Sequence, residues 1–225
     1  MKLWLIRHGQ TPSNVLGLLD TAVPGPGLTD LGIEQAAAIP GALQGQPLSA
    51  VFASSQTRAQ LTAAPLAADR GLVVQVRAGL REVSAGEWEM RGDAESVHGY
   101  LGAIGRWFAG DLEYRLPRGE TGHEVLERYD GVIDEVVAAG GDAAVVSHGA
   151  IIRFWATVRS SNLPPAFGAG NVVHNTGIVE LENDGTQWRT LTWAGTAVGG
   201  LALDDAGTDG PGGDAFEMRS ALPQN

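Results

Sequence analysis

Apolar positions follow two alternating rhythms along the chain. Short, dense runs with the length of buried strands occur at residues 2–6, 48–53, 73–76, 143–147, 178–181 and 188–193. The stretches between them carry helical spacing. The clearest covers 121–139, where Val125, Tyr129, Val132, Ile133, Val136 and Val137 form one continuous stripe. Thr121 with Glu124 three places on reads as a capping box, and Gly140-Gly141 as the stop. Further helices are predicted from Thr29 to about Leu43, with Pro40 kinking or ending it, and at 56–68, 94–108 and 149–158.

Strands alternating with helices predict an α/β fold: a three-layer α/β/α sandwich around a mainly parallel sheet. Asn183-Asp184-Gly185, between the last two strands, is a hairpin signal and adds an antiparallel edge strand. From Leu201 the periodicity stops, and 201–225 is an acidic stretch rich in Gly, Asp and Pro. It is expected to be a mobile tail without chemistry of its own, leaving 1–200 as one domain.

Composition narrows the chemistry. The 225 residues suffice for one sizeable core, and cysteine is absent, so no disulfide, thiolate nucleophile or thiolate metal site exists. The first apolar run meets Arg7 too early for a signal-peptide core or a membrane span, and a soluble cytoplasmic protein is expected. A net charge of −11 makes nucleic acid and anionic membranes poor partners, so any anion must be met by locally gathered cations. The only lysine is Lys2, so those cations are arginines.

Three strand-like runs end alike. Residues 3–6 run into Arg7-His8-Gly9, residues 50–53 into Ser54-Ser55 and then Arg58, and residues 143–146 into Ser147-His148-Gly149. Ligands of open α/β sheets sit at the carboxyl ends of strands, so Arg7, His8, Arg58 and His148 are expected to floor one pocket. Arginine forks match phosphate oxygens, glycines beside the histidines let backbone approach a ligand, and the helix starting near Gly149 offers amides to the same anion. A divalent metal between two guanidiniums is electrostatically unfavourable, and no histidine spacing gives HExxH; no metal and no cofactor are expected.

The segments LIRHGQT, ASSQTRAQLTA, LREVSAGEWEM, RGETGHEVLER and VVSHGA, in this order over residues 1 to about 195, resemble the histidine phosphatase superfamily, the phosphoglycerate mutase-like proteins. The resemblance implies a phosphoglycerate mutase-like fold and a phosphoryl group carried transiently on His8. It implies that Arg7, Arg58 and His148 hold the phosphate oxygens, with Asn14 adding a hydrogen bond. Glu82 matches the family's acid/base position, with Glu87 and Glu89 as neighbouring alternatives and a surface pair with Arg81 as the structural one. Gly9 and Gly149 border the ligand. His174, before Asn175-Thr176-Gly177, matches a stretch near the phosphate pocket and is taken as a rim contact. Glu120 is expected to order the loop into the helix at Thr121, and His98 and His123 to be surface residues. A helical insertion at about 87–118 is expected to cover the site and carry specificity.

Within that family the motif after Glu82, GEWE, resembles small phosphatases, and the insertion lacks the arginine-rich segment of the mutases. It holds Arg91, Arg106, Arg115 and Arg118. Hydrolysis of a small phosphomonoester without metal is expected. Mutase-type transfer and an idle phosphate-binding module are the alternatives. The loop 15–28 departs from the family pattern, with Leu18 where relatives carry arginine. The oligomeric state is left open, a homodimer among the options.

Overall fold

The computed structural model describes residues 1–205, 207 and 209–213. Its strands are β1 (Lys2–Arg7), β2 (Leu48–Ser54), β3 (Val74–Arg77), β4 (Asp142–Ser147), β5 (Ile178–Asn183) and β6 (Trp188–Ala194). They form one six-stranded sheet in the order β3-β2-β4-β1-β5-β6. Pairings β2–β3, β2–β4 and β1–β4 are parallel, and β1–β5 and β5–β6 are antiparallel. The Asn183-Asp184-Gly185 hairpin therefore builds the antiparallel end of the sheet, with Gly185 at φ +100°.

The helices are α1 (Pro12–Val15), α2 (Asp30–Ala42), α3 (Thr57–Arg70), α4 (Ala94–Phe108), α5 (Gly122–Ala139), α6 (Gly149–Arg159) and α7 (Phe167–Gly170). Strand residues alternate strictly between two cores. Trp4, Ile6, Val51, Ala53, Ala144 and Val146 face α2 and α3, where Ile39, Ala63 and Leu66 meet them. Leu3, Leu5, Phe52 and Val145 face the other way, onto Ile104 of α4, Val125 and Ile133 of α5 and Phe154 of α6. Burial on both faces explains why these strands read as apolar runs rather than as alternations. The three-layer sandwich is what the sequence pattern predicts.

Local chemistry sets the helix starts. Thr121 and Glu124 form the expected capping box of α5. Thr29 caps α2 by accepting from Gly32 N–H at 3.0 Å. Pro40 lies inside α2 only two residues from its end, whereas α3 continues past Pro65 to Arg70. The described part of the expected tail is not separate from the domain. Leu203 accepts a 2.8 Å hydrogen bond from Gln35 Nε2, and residues 209–213 cross the carboxyl end of the sheet. Residues 214–225 of that expectation lie outside the described residues.

Candidate active site

Parallel pairing of β2, β4 and β1 puts their carboxyl ends side by side, and the three motif segments follow directly. His8 leaves β1, its N–H donating to the Ser147 carbonyl at 3.0 Å and tying it to the end of β4. His148 is the N-cap residue of α6, and Arg58 lies in the first turn of α3. Glu82 comes from the loop after β3. Arg7, His8, Arg58, Glu82 and His148 are all buried, none exposed beyond 7 %. A surface Glu82 is thereby excluded.

His8 is oriented as well as placed. Its Nδ1 lies 2.8 Å from the Gly9 carbonyl, an acceptor only, so Nδ1 carries the hydrogen and Nε2 keeps its lone pair. The His148 ring lies behind it, centroids 5.1 Å apart. Burial, then the Arg58 and Arg7 guanidiniums, push the His8 pKa well below the usual imidazole value. Burial, then Arg58 and His8, do the same to His148. Both rings are neutral near pH 7. Neither nitrogen of His148 has a hydrogen-bond partner, and neither does Nη1 of Arg58, whose charge is met by Asp20 Oδ1 only at 3.9 Å. Arg58 Nη2 donates to the Asp20 carbonyl at 2.9 Å. Buried donors left open beside a neutral imidazole are suited to receive anionic oxygens.

Glu82 is fixed by backbone amides. Oε1 accepts from Val83 N–H at 2.9 Å and Ile151 N–H at 3.0 Å, and Oε2 from Ala150 N–H at 3.1 Å. This corrects one expectation: two first-turn amides of α6 serve Glu82 rather than an incoming anion. Arg81 pairs instead with Glu120 at 3.0 Å, and Glu120 also holds Arg128 at 2.7 Å and the Ser84 amide at 3.2 Å. Burial pushes the Glu120 carboxyl up, but those partners outweigh it and hold it below its usual value. Glu89 accepts from Thr21 and Ala22 amides and from the Thr21 hydroxyl, which pins the 20–22 loop. Glu87 is exposed.

The remaining expected site residues divide. Asn14 lines the pocket, and its Oδ1 accepts the Thr11 amide at 3.0 Å. Gly9 does not line the cavity, and a Cβ there would lie 2.6 Å from the Gly32 carbonyl, so α2 demands its glycine. Gly149 lines the pocket, and a Cβ there would meet the Gly212 carbonyl at 2.7 Å. His174 does not line it, and its Nδ1 hydrogen-bonds Asp209. Several contributors were given no role by the sequence. Gln56 Oε1 accepts from Glu82 N–H at 3.0 Å, and its Nε2 donates to Thr21 O at 2.9 Å. Asn175 Nδ2 donates to the His8 carbonyl at 2.9 Å. Tyr100 of α4 and Leu18 wall the pocket, the latter where a cation was missed. His123 is at the surface facing Glu113.

The cavity among Arg7, His8, Arg58 and Glu82 measures about 40 Å³. That is room for a few waters or one phosphoryl group. A wider cavity of about 560 Å³ shares Thr21 and Glu82 with it and is lined by Arg81, Ser84 and Arg118. Among the described residues no three His, Cys, Asp or Glu side chains cluster as metal ligands, and no helix is long and apolar enough to cross a membrane.

Comparison with known proteins agrees with this geometry. The sequence model of the histidine phosphatase superfamily (branch 1) matches residues 3–196. PE-PGRS family protein PE_PGRS11 of Mycobacterium tuberculosis is 37 % identical over 222 residues, covering 89 % of this chain and 38 % of that protein. The adenosylcobalamin/alpha-ribazole phosphatase of Escherichia coli K12 is 36 % identical over 128 residues, 57 % of this chain and 62 % of that one. The match thus spans less than two thirds of either relative's length. A mycobacterial glucosyl-3-phosphoglycerate phosphatase solved with VO3 superposes with a TM-score of 0.73 at 25 % identity, over 87 % of this chain and 99 % of that one.

Proposed function

The chain belongs to the histidine phosphatase superfamily, branch 1, and from that premise we propose that it is a metal-independent phosphomonoesterase. It works on a small phosphorylated metabolite through a phosphohistidine intermediate. The carrying observation is His8: buried, neutral, its Nε2 lone pair free because Nδ1–H is held by Gly9, and flanked by the open donors of Arg58 and His148. The names of the two phosphatase relatives, acting on small phosphorylated compounds, point the same way.

Two displacements follow. His8 Nε2 attacks phosphorus, the ester P–O bond breaks, and the leaving oxygen takes a proton from the acid form of Glu82. Water then attacks the phosphohistidine, the P–N bond breaks, and Glu82 takes the water's proton. Oε2 of Glu82 has one amide bond against two on Oε1, and so is the oxygen with capacity left for this proton. Arg7, Arg58 and His148 stabilise the phosphoryl charge by position alone, which is most of what such a transfer asks of a protein. The 560 Å³ cavity across Glu82 gives the leaving group its place. A mutase grip finds less support: Arg91, Arg106 and Arg115 of the insertion pair with Asp93, Asp111 and Glu124. A cytoplasmic location is part of this proposal.

The test is phosphate release from a panel of phosphomonoesters, including 3-phosphoglycerate, in chelator, with wild type and His8→Ala. Interconversion of 3- and 2-phosphoglycerate is followed in parallel. Release by wild type alone is expected. Unchanged turnover in His8→Ala would sink the covalent mechanism, loss of activity to chelator the metal-independent one, and faster interconversion would make it a mutase.

A further inference from the structure

The segment 209–213, which sequence patterning set apart from the domain, reaches the cation at the centre of the site. Arg7 Nη1 donates to the Val173 carbonyl at 2.8 Å, and Nη2 donates to the Asp209 carbonyl. The Asp209 carboxylate anchors the segment, accepting from the Asn175 amide at 3.1 Å and bonding His174 Nδ1. Further on, the Gly212 carbonyl accepts from Arg153 Nη1 at 3.2 Å. Gly212 stands in the gap between the phosphate clamp and the proton carrier. An atom at its Cβ position would lie 3.8 Å from Arg7 Nη2 and 3.9 Å from Glu82 Oε2. Gly149 lets this backbone pass so close, since a Cβ there would collide with Gly212 O.

A phosphoryl oxygen and a peptide carbonyl want the same guanidinium hydrogens. With the segment docked, an Arg7 donor is held by backbone and the space beside Glu82 is partly filled. We propose that Asp209 is a positioning residue that docks this segment as an intramolecular competitor of the phosphoryl group. Substrate then binds by displacing the Asp209 carbonyl from Arg7. The inference rests on the phosphomonoesterase reading for its ligand. Apparent affinity is the intrinsic affinity scaled by the undocked fraction, so a segment docked in about nine molecules of ten weakens binding about tenfold.

Two independent changes undock it. Asp209→Ala removes the carboxylate anchor. Gly210→Ala leaves that anchor untouched but opposes the docked backbone, which holds φ at +70° and would bring a Cβ to 3.0 Å from Asn14 Nδ2. Inorganic phosphate affinity by titration calorimetry, and KM and kcat with a phosphomonoester, are measured on wild type and both variants. Both variants are expected to bind phosphate about tenfold tighter and lower KM equally, with kcat within about twofold. A merely structural role would weaken binding instead. Affinity unchanged or weakened in both variants overturns the proposal. Tightening in Asp209→Ala alone also overturns it, because the effect then belongs to His174 and Asn175. Should Asp209→Ala fail to fold, Gly210→Ala decides by the same sign. A wild type that shows the phosphate pattern but hydrolyses no ester defeats the phosphatase reading and leaves this one standing.

Discussion

Lowering the pH from 7 to 5 should remove stability, with a ceiling of about 2 kcal/mol from each of His8 and His148. Both imidazoles are held well below the ordinary value, by burial first and then by Arg58, with Arg7 adding to His8 and His8 adding to His148. The Gly9 carbonyl pulls His8 the other way and is outweighed. In the unfolded chain each ring takes up a proton as pH falls past about 6.5, while in the folded protein that uptake is pushed to lower pH. No penalty exists above that value, and it grows as pH falls through the window below it. For a histidine neutral across this range, the linkage integral is about 2 kcal/mol. That is a large part of a typical total of about 5–15 kcal/mol. Asp93, Glu124 and Asp184, held at about 2, open their own windows only further into acid. Urea unfolding at the two pH values measures the loss, and His8→Gln and His148→Gln should each cut it, by at most about 2 kcal/mol. A wild-type loss under about 1 kcal/mol, or one that both variants leave unchanged, refutes the reasoning.

Glu82→Gln should lower kcat by about 10²–10⁴ while leaving phosphate binding within a few-fold, since the amide has no acid to give; steady-state kinetics beside phosphate titration reads the split, and an unchanged kcat removes Glu82 from proton transfer. Gly9→Ala should destabilise by about 1–3 kcal/mol, because its Cβ would press to 2.6 Å against the Gly32 carbonyl of α2; thermal unfolding measures this, and an unshifted midpoint would show that α2 can yield.

The sheet was legible because burial on both faces leaves dense apolar runs, and α5 because it carries a one-sided stripe with Thr121 at its start. Arg7, His8, Arg58 and His148 were legible because each follows the end of a strand-like run, and Glu82 through the resemblance of its segment. Their supports were not. Gln56 and Asn175, and Thr62, whose hydroxyl accepts from the Gly9 amide at 2.9 Å, act through hydrogen bonds to residues distant in the chain, and no periodicity marks such contacts. Gly9 was assigned to ligand approach, yet its neighbour is Gly32, a packing constraint visible only once α2 lies beside the loop. The segment 209–213 escaped for a different reason. It engages Arg7 and Arg153 through peptide carbonyls, which every residue has, so composition cannot reveal it.

The junction of β4 and α6 does more than hold His148. Its first-turn amides grip Glu82, and the Ser147 carbonyl before it grips His8, so all three chemical groups are referenced to one turn of backbone. Such a cluster cannot adapt piecemeal to a ligand, which suits a transfer that depends on position. Burial first, and then the same two arginines that are to meet the phosphoryl charge, keep His8 neutral, so binding and nucleophilicity share part of their cause. What can yield is whatever is attached without a core beneath it. Under the proposal above, that is the segment of Pro211 and Gly212, which line the pocket and are held through the Asp209 anchor and a bond from Arg153 to the Gly212 carbonyl. A rigid clamp with a yielding segment laid across it places the adjustment of affinity in the segment and leaves the chemistry to the clamp.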